Sequence, residues 1–321
     1  MTERVLKDLP DDIGGPSVDV IEADSLTQEI FINDYVRTNT PCLIKNAIKH
    51  WPAIEKWKEK QYLVNAAGNY ELDVYSIRNY LNNKKMKDNG KQLTFSEGLE
   101  LALQEDDTVV SMPANTIDKD GQFSELLQDV GGFSFLESQP DPYIYDRNRF
   151  FAYKSAGTAW HQHPLDESLM CQVVGSKRVA LLCSTNADYP LFEKAFRVDD
   201  HGKYSALLEK NAQYLSLVTV EEGDSLYIPP YWYHGIDPVD EKFGITFAHC
   251  WKSSLHKFGE MKYPKNRANL VGIFTCLPYI PNYFAFLLFS LCARGLFLVK
   301  MNKLKKFFRK ASPESDMARE D

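Results

Sequence analysis

From about residue 143 the chain breaks into short apolar or aromatic runs separated by turn residues: "YIYD", "RFFAYKS", "LMCQVV", "KRVALLCS", "LSLVTV", "DSLYIP" and "GITFAHCW". Several are rich in Val, Ile, Tyr and Phe and they lie close together, which predicts a β-sandwich or barrel. Upstream the texture is mixed. "DSLTQEIFINDYV" carries helix signals, with Asp24 or Ser25 as the cap and Ile30, Phe31 and Tyr35 near helical spacing. "PCLIKNA" predicts a short buried strand, whereas "SIRNYLNNKKM" and "FSEGLELALQE" predict surface helices, the second capped by Ser96.

The far end differs again. Residues 270–293 contain no charged side chain, a stretch long enough to cross a bilayer, yet Gly272, Pro278, Pro281 and Asn282 interrupt it. It is followed by the basic "KMNKLKKFFRK" and an acidic tail expected to be disordered. A single crossing from a cytoplasmic domain would put those basic residues outside, against the positive-inside tendency. The expectations left are a helix or broken hairpin in the membrane surface, and a pair of apolar helices forming a homodimer. The predicted organisation is a polar lead-in over 1–24, a main domain over 25–255 with its β core at about 143–252, an apolar-then-basic helical region over 256–310, and the tail.

Composition narrows the function classes. With 321 residues, 44% hydrophobic and 25% charged, the chain is an ordinary globular one with ample length for a core. A net charge of -7 argues against general nucleic-acid binding, which calls for a basic field. Cys42, Cys171, Cys183, Cys250, Cys276 and Cys292 are scattered with no C-x-x-C pair, and "MTERVLKDLPDDIGG" has no signal-peptide core. The expectation is a cytoplasmic protein with free thiols.

The chemistry concentrates in "TAWHQHPLDES", which packs His161, His163, Asp166 and Glu167 into seven positions. In a strand, residues i and i+2 share a face, so two imidazoles converge on one metal, and Glu167 follows within reach. "GDSLYIPPYWYH" supplies His234 from a distant strand. Two close ligands and one remote histidine are a common way to build a metal site in a barrel. Asp166 is expected in a turn, and Tyr231, Trp232 and Tyr233 in the core or its rim. His50, His201, His249 and His256 are expected to be structural.

These motifs, H-x-H-x-x-x-E, then Gly175, then G-D-x-L-Y-I-P-P-x-W-x-H, resemble the JmjC-type branch of the cupin superfamily of 2-oxoglutarate-dependent oxygenases. "PCLIKNAIKHWPAIEKW" resembles the entry segment of its hydroxylases, and the resemblance runs from about residue 25 to 255. It implies a double-stranded β-helix, a jelly roll with an N-terminal α/β region and C-terminal helices. It implies Fe(II) held by two histidines and a carboxylate, with 2-oxoglutarate as cosubstrate and often a protein side chain as substrate. Residue by residue, His161 and His234 match the two histidine ligands. Thr158 matches a hydroxyl on the cosubstrate, and Lys177 the cation on its far carboxylate. Tyr143 or Tyr145 is positioned to add a hydrogen bond.

Three departures leave the ligand set open. The carboxylate position of the first motif holds His163. The stretch from His161 to Gln172 is one residue longer than the family's, which a bulge would absorb. The family's last core strand carries an asparagine where this chain has Ala248 and His249. The alternatives are three histidines, three histidines plus Glu167, or a site that no longer closes. The last would make the chain a non-catalytic binding protein, and a cupin metalloenzyme without 2-oxoglutarate is the remaining option.

Overall fold

The computed structural model describes residues 4–6, 9, 13, 15–80, 89–119, 121–188, 191, 201–264, 266–267 and 281–311. It forms two units, Met1–Lys252 and Ser253–Asp321.

The first unit holds fourteen strands in chain order: β1 Asp19–Glu22, β2 Cys42–Lys45, β3 Glu71–Tyr75, β4 Asn79–Tyr80, β5 Gly90–Thr94, β6 Val110–Thr116, β7 Asn148–Lys154, β8 Gly157–His161, β9 Asp166–Val174, β10 Lys177–Leu182, β11 Leu215–Val220, β12 Ser225–Ile228, β13 Tyr233–Pro238 and β14 Phe243–Lys252. They make a nine-stranded sheet in the order β1-β2-β12-β9-β14-β7-β6-β3-β5 and a five-stranded sheet in the order β11-β10-β13-β8-β4. Neighbours that are distant in sequence, such as β9 between β12 and β14, are the signature of a jelly roll rather than a meander.

Period-2 alternation explains where each strand's two faces go. On β9, Leu169, Cys171 and Val173 join the larger core cluster with Phe31, Trp51, Trp57, Phe150, Tyr227 and Trp251. The alternate residue Met170 joins a second cluster with Val179, Leu181, Leu226, Ile228 and Ile236, drawn from strands of both sheets. A third cluster sets Val5, Leu6 and Leu9 of the N-terminal segment with Trp160, Leu182, Leu208 and Tyr233. That segment is pinned by Asp237, whose carboxylate accepts the Val5 and Leu6 N–H groups at 3.0 and 2.7 Å.

Several local expectations need correction. The helix after residue 27 is capped by Thr27, whose hydroxyl accepts the Ile30 N–H, not by Asp24 or Ser25. The helix Phe95–Ala102 is capped by Thr94 rather than Ser96, in a reciprocal box with Glu97 that satisfies two backbone donors at once. Within "SIRNYLNNKKM", Asn79–Tyr80 is a strand paired in parallel with Gly157 and Thr158; residues 81–88 lie outside the described ones. "YIYD" is a loop, and β3, β5 and β6 extend the large sheet with strands the apolar pattern did not single out.

In the second unit the short helix Leu255–Phe258 precedes the long helix Pro281–Ala311. Glu260 pairs with Arg294 at 2.7 Å, and His256 stacks on Phe297 at 4.1 Å. Leu288, Phe289, Leu296, Leu298 and Val299 are exposed along the helix. Part of the apolar 270–293 stretch falls outside the described residues. No helix among the described residues is long and apolar enough to cross a membrane.

Candidate metal centre

β8 ends at His161, which is registered directly opposite His234 on β13. Two steps along β13 (from His234 to Ile236) face three steps along β8 (from His161 to Thr158), so β8 carries a bulge beside the site. A bulge re-aims side chains where it occurs. A second irregularity sits where Val174 and Gln172 on β9 pair with Ile245 and Thr246 of β14. Gly157, at the head of β8, is required by close approach: a Cβ there would stand 2.1 Å from the Ile236 carbonyl oxygen.

His163 does not lie in a strand with His161. It follows in the loop, fixed by its carbonyl oxygen, which accepts the Tyr231 N–H at 3.0 Å. Tyr231 takes a left-handed φ of 69°, a costly conformation for a bulky residue, in the tight link from β12 to β13. One turn therefore positions His163 and His234 together. The three rings have centroids 4.1 Å apart for His161 and His234, and 5.1 Å apart for each pair with His163. One ring nitrogen from each lies within 4.8 Å of the other two.

The hydrogen bonds select the tautomers. His161 Nδ1 donates to the Ala159 carbonyl and His234 Nδ1 to the Trp232 carbonyl, both at 2.8 Å. A carbonyl only accepts, so each Nδ1 carries the proton and each Nε2 keeps a lone pair. His163 Nδ1 is buried without a hydrogen-bond partner. Burial, with the neighbouring His234, holds His161 and His163 well below the ordinary histidine range; burial brings His234 to about 4. At neutral pH the cluster is three neutral imidazoles, a donor set that suits a divalent transition metal.

The carboxylates of the opening motif face elsewhere. Glu167 is corrected as a ligand candidate: it alternates with the cavity-lining Ser168 and sits on the opposite side of β9, where Tyr227 OH donates to its Oε2 at 2.6 Å. Asp166 is not a turn residue. It opens β9, fully buried, and accepts the N–H groups of Tyr143, Ile144 and Tyr145 at 2.6, 2.9 and 3.1 Å. That clamp sets the Tyr145 ring 5.0 Å from His163. Tyr143 is instead exposed, with Lys252 over its ring.

Beside the histidines is a cavity of about 130 Å3, lined among others by Tyr145, Arg149, Thr158, Ser168, Lys177 and Ala248. Lys177 is 4% exposed, its ammonium 3.9 Å from the centre of the Tyr153 ring. Burial lowers it to about 7, against a smaller pull upward from Asp237. Thr246 donates to Gln172, and Gln172 to Tyr153 OH, both at 2.9 Å, which holds the ring under the lysine. His249 points out of the cavity: its Nδ1 meets Asn148 Oδ1 at 2.8 Å and its ring packs on Phe133. Arg149 was missed by sequence reasoning, and Asp166, singled out there as a turn residue, instead clamps the backbone of 143–145. Arg149 had one signal, a charge on the same strand face as Phe151 and Tyr153 within an otherwise apolar run.

A jelly roll with converging histidines and a buried lysine in its interior has the architecture of a cupin. Residues 27–257 match the family model described as "Cupin-like domain", and the chain belongs to that family. It is 28% identical over 69% of its length to "Lysine-specific demethylase JMJ30" of Arabidopsis thaliana, covering 52% of that protein. It is 25% identical to "Jumonji C domain-containing protein 5" of Drosophila melanogaster, over 71% of this chain and 59% of the relative. With the human "Bifunctional peptidase and (3S)-lysyl hydroxylase JMJD7" it shares 24% identity over 68% of this chain and 79% of the relative. The chain thus spans little more than half the length of the first two. Its family is the JmjC, cupin-like oxygenase family.

Proposed function

We propose that this chain is an Fe(II)- and 2-oxoglutarate-dependent oxygenase, a hydroxylase, with a three-histidine metal site. The observation that carries the reading is the convergence of three neutral imidazoles on the cavity that also holds Lys177. His161, His163 and His234 hold the metal, the first two ring orientations being set by carbonyl acceptors and by the β12–β13 turn respectively. Lys177 and Thr158 receive the carboxylate and keto-acid oxygens of the cosubstrate, and Tyr145 closes the mouth against His163. Lys177 is poised near neutrality, so an arriving carboxylate draws a proton onto it and supplies the charge partner a buried carboxylate needs. The apolar lining from Phe151, Met170, Ile228 and Ile236 excludes water from the reacting atoms. Bound iron supplies the redox chemistry: dioxygen is divided between a hydroxylated substrate and succinate, with carbon dioxide lost from 2-oxoglutarate. The substrate class we infer is a protein side chain, as in the relative named a lysyl hydroxylase.

A second reading, a non-catalytic cupin-fold binding protein, is favoured by one observation: no carboxylate lines the cavity among the described residues. Iron content and succinate release from 2-oxoglutarate separate the two. Iron with succinate release, both lost in His234→Ala, supports the oxygenase. Iron without succinate release, and no loss of 2-oxoglutarate binding in Lys177→Ala, leaves a cupin metalloenzyme that does not use 2-oxoglutarate. No bound iron leaves the binding protein.

A further inference from the structure

Arg149 has no place in the chemistry so far, yet it is 9% exposed and lines the same cavity. Its guanidinium stacks on the Tyr145 ring at 4.4 Å and lies 5.6 Å from Phe151. Its Nε has no hydrogen-bond partner, and one Nη reaches only the Cys250 thiol at 3.4 Å. Among the described residues no aspartate or glutamate lines this cavity. The position where the resembling family carries a carboxylate ligand holds His163, so among the described residues the cavity lining brings no anion to offset the charge. A buried guanidinium without an anion is strongly unfavourable, and a site that keeps one awaits a charged ligand.

The strand registers separate this cation from Lys177. On β13, Pro238, the partner of Lys177, stands four residues on from His234. On β7, Tyr153, whose ring Lys177 touches, likewise stands four residues on from Arg149. Arg149 therefore stands level with the histidines on the facing sheet, and Lys177 marks the other end, about 13 Å away along the strand. The two cations serve different anions. Stacking on Tyr145 leaves the planar donor edge of the guanidinium to meet a ligand, and that fork matches the two coplanar oxygens of a carboxylate.

We infer that Arg149 is a second anion site of this cavity, and that it anchors a carboxylate of the primary substrate beside the histidine cluster. The word substrate rests on the oxygenase reading; the anion site does not. The substrate class follows from the guanidinium fork as an acidic side chain or a small organic acid.

The test uses the full chain with acetate, the smallest carboxylate, titrated calorimetrically in a Lys177→Met background that silences the other end. Acetate binds Lys177→Met, and adding Arg149→Met weakens it at least tenfold. Arg149→Lys, which keeps the charge and loses the fork, falls between. Equal acetate affinity with and without Arg149→Met overturns the proposal, as does binding lost in Lys177→Met alone. Inorganic phosphate bound more tightly than acetate overturns the carboxylate assignment. Should Arg149→Met fail to melt cooperatively, Arg149→Lys decides: unchanged acetate affinity there overturns the proposal. Absence of succinate release would sink the oxygenase reading and leave these titrations standing; equal affinities would sink the anion site and leave turnover untouched.

Discussion

Replacing Lys177 by methionine stabilises the folded chain, by an amount set by pH. Lys177 is 4% exposed, and burial takes its ammonium from 10.5 to about 7. The difference, 10.5 − 7, at ~1.4 kcal/mol per unit, gives a ceiling of about 5 kcal/mol. The unfolded chain binds this proton more tightly than the folded one, so stability rises with pH between about 7 and 10.5. The penalty is complete at and below pH 7 and vanishes above 10.5. Methionine, of similar length and no charge, removes it. Urea unfolding of the two proteins side by side reads the gap directly: up to about 5 kcal/mol at pH 6, about 2 kcal/mol at pH 9, and none near pH 10.5. A gap that does not change with pH, or a wild-type chain more stable at every pH, would refute the reasoning. Function runs the other way. A carboxylate needs the protonated lysine, so wild-type affinity for 2-oxoglutarate falls as pH rises above 7, and Lys177→Met binds it weakly throughout.

Glu167→Gln leaves iron binding intact while costing about 1–3 kcal/mol in thermal or urea unfolding through the Tyr227 hydrogen bond; loss of iron would return Glu167 to the ligand set. Asp166→Ala strips three backbone donors of their acceptor and destabilises by about 3 kcal/mol or more, and hydrogen exchange at residues 143–145 accelerates; unchanged protection there would refute the clamp. Gly157→Ala drives a methyl into the Ile236 carbonyl and costs several kcal/mol, roughly 3 or more, measured by thermal melting; a neutral substitution would contradict the close approach. The exposed Leu288, Phe289, Leu296 and Val299, on a helix with seven basic and no acidic residues over 281–311, predict poor detergent-free recovery of the full chain and better recovery of one ending at residue 264. Equal recovery would count against association through this helix.

The β runs after residue 143 were legible because each strand buries both faces and reads as a nearly continuous apolar stretch. "LMCQVV" and "GITFAHCW" became β9 and β14 for that reason. "YIYD" looks equally strand-like, yet its backbone donors go to the Asp166 carboxylate, a tertiary partner that local propensity cannot show. β3, β5 and β6 were hidden because several of their positions are polar and half-exposed. In the site, the pairing of His161 with His234 followed from motif spacing. The reach of His163 did not, because it depends on the positive φ of Tyr231 and on a bulge in β8. Glu167 misled because its spacing suits a ligand, whereas the register of β9 turns it toward Tyr227. Arg149 was overlooked since one charge in an aromatic run carries no motif. Its meaning comes only from what faces it across the cavity.

Iron bound per chain after anaerobic reconstitution and desalting, compared between the full wild-type chain and His163→Ala, tests the central claim most directly. Three histidines as the whole protein ligand set predict one iron per wild-type chain and loss of tight binding in His163→Ala. A wild-type chain that retains no iron, or a His163→Ala chain that still retains one, would contradict it.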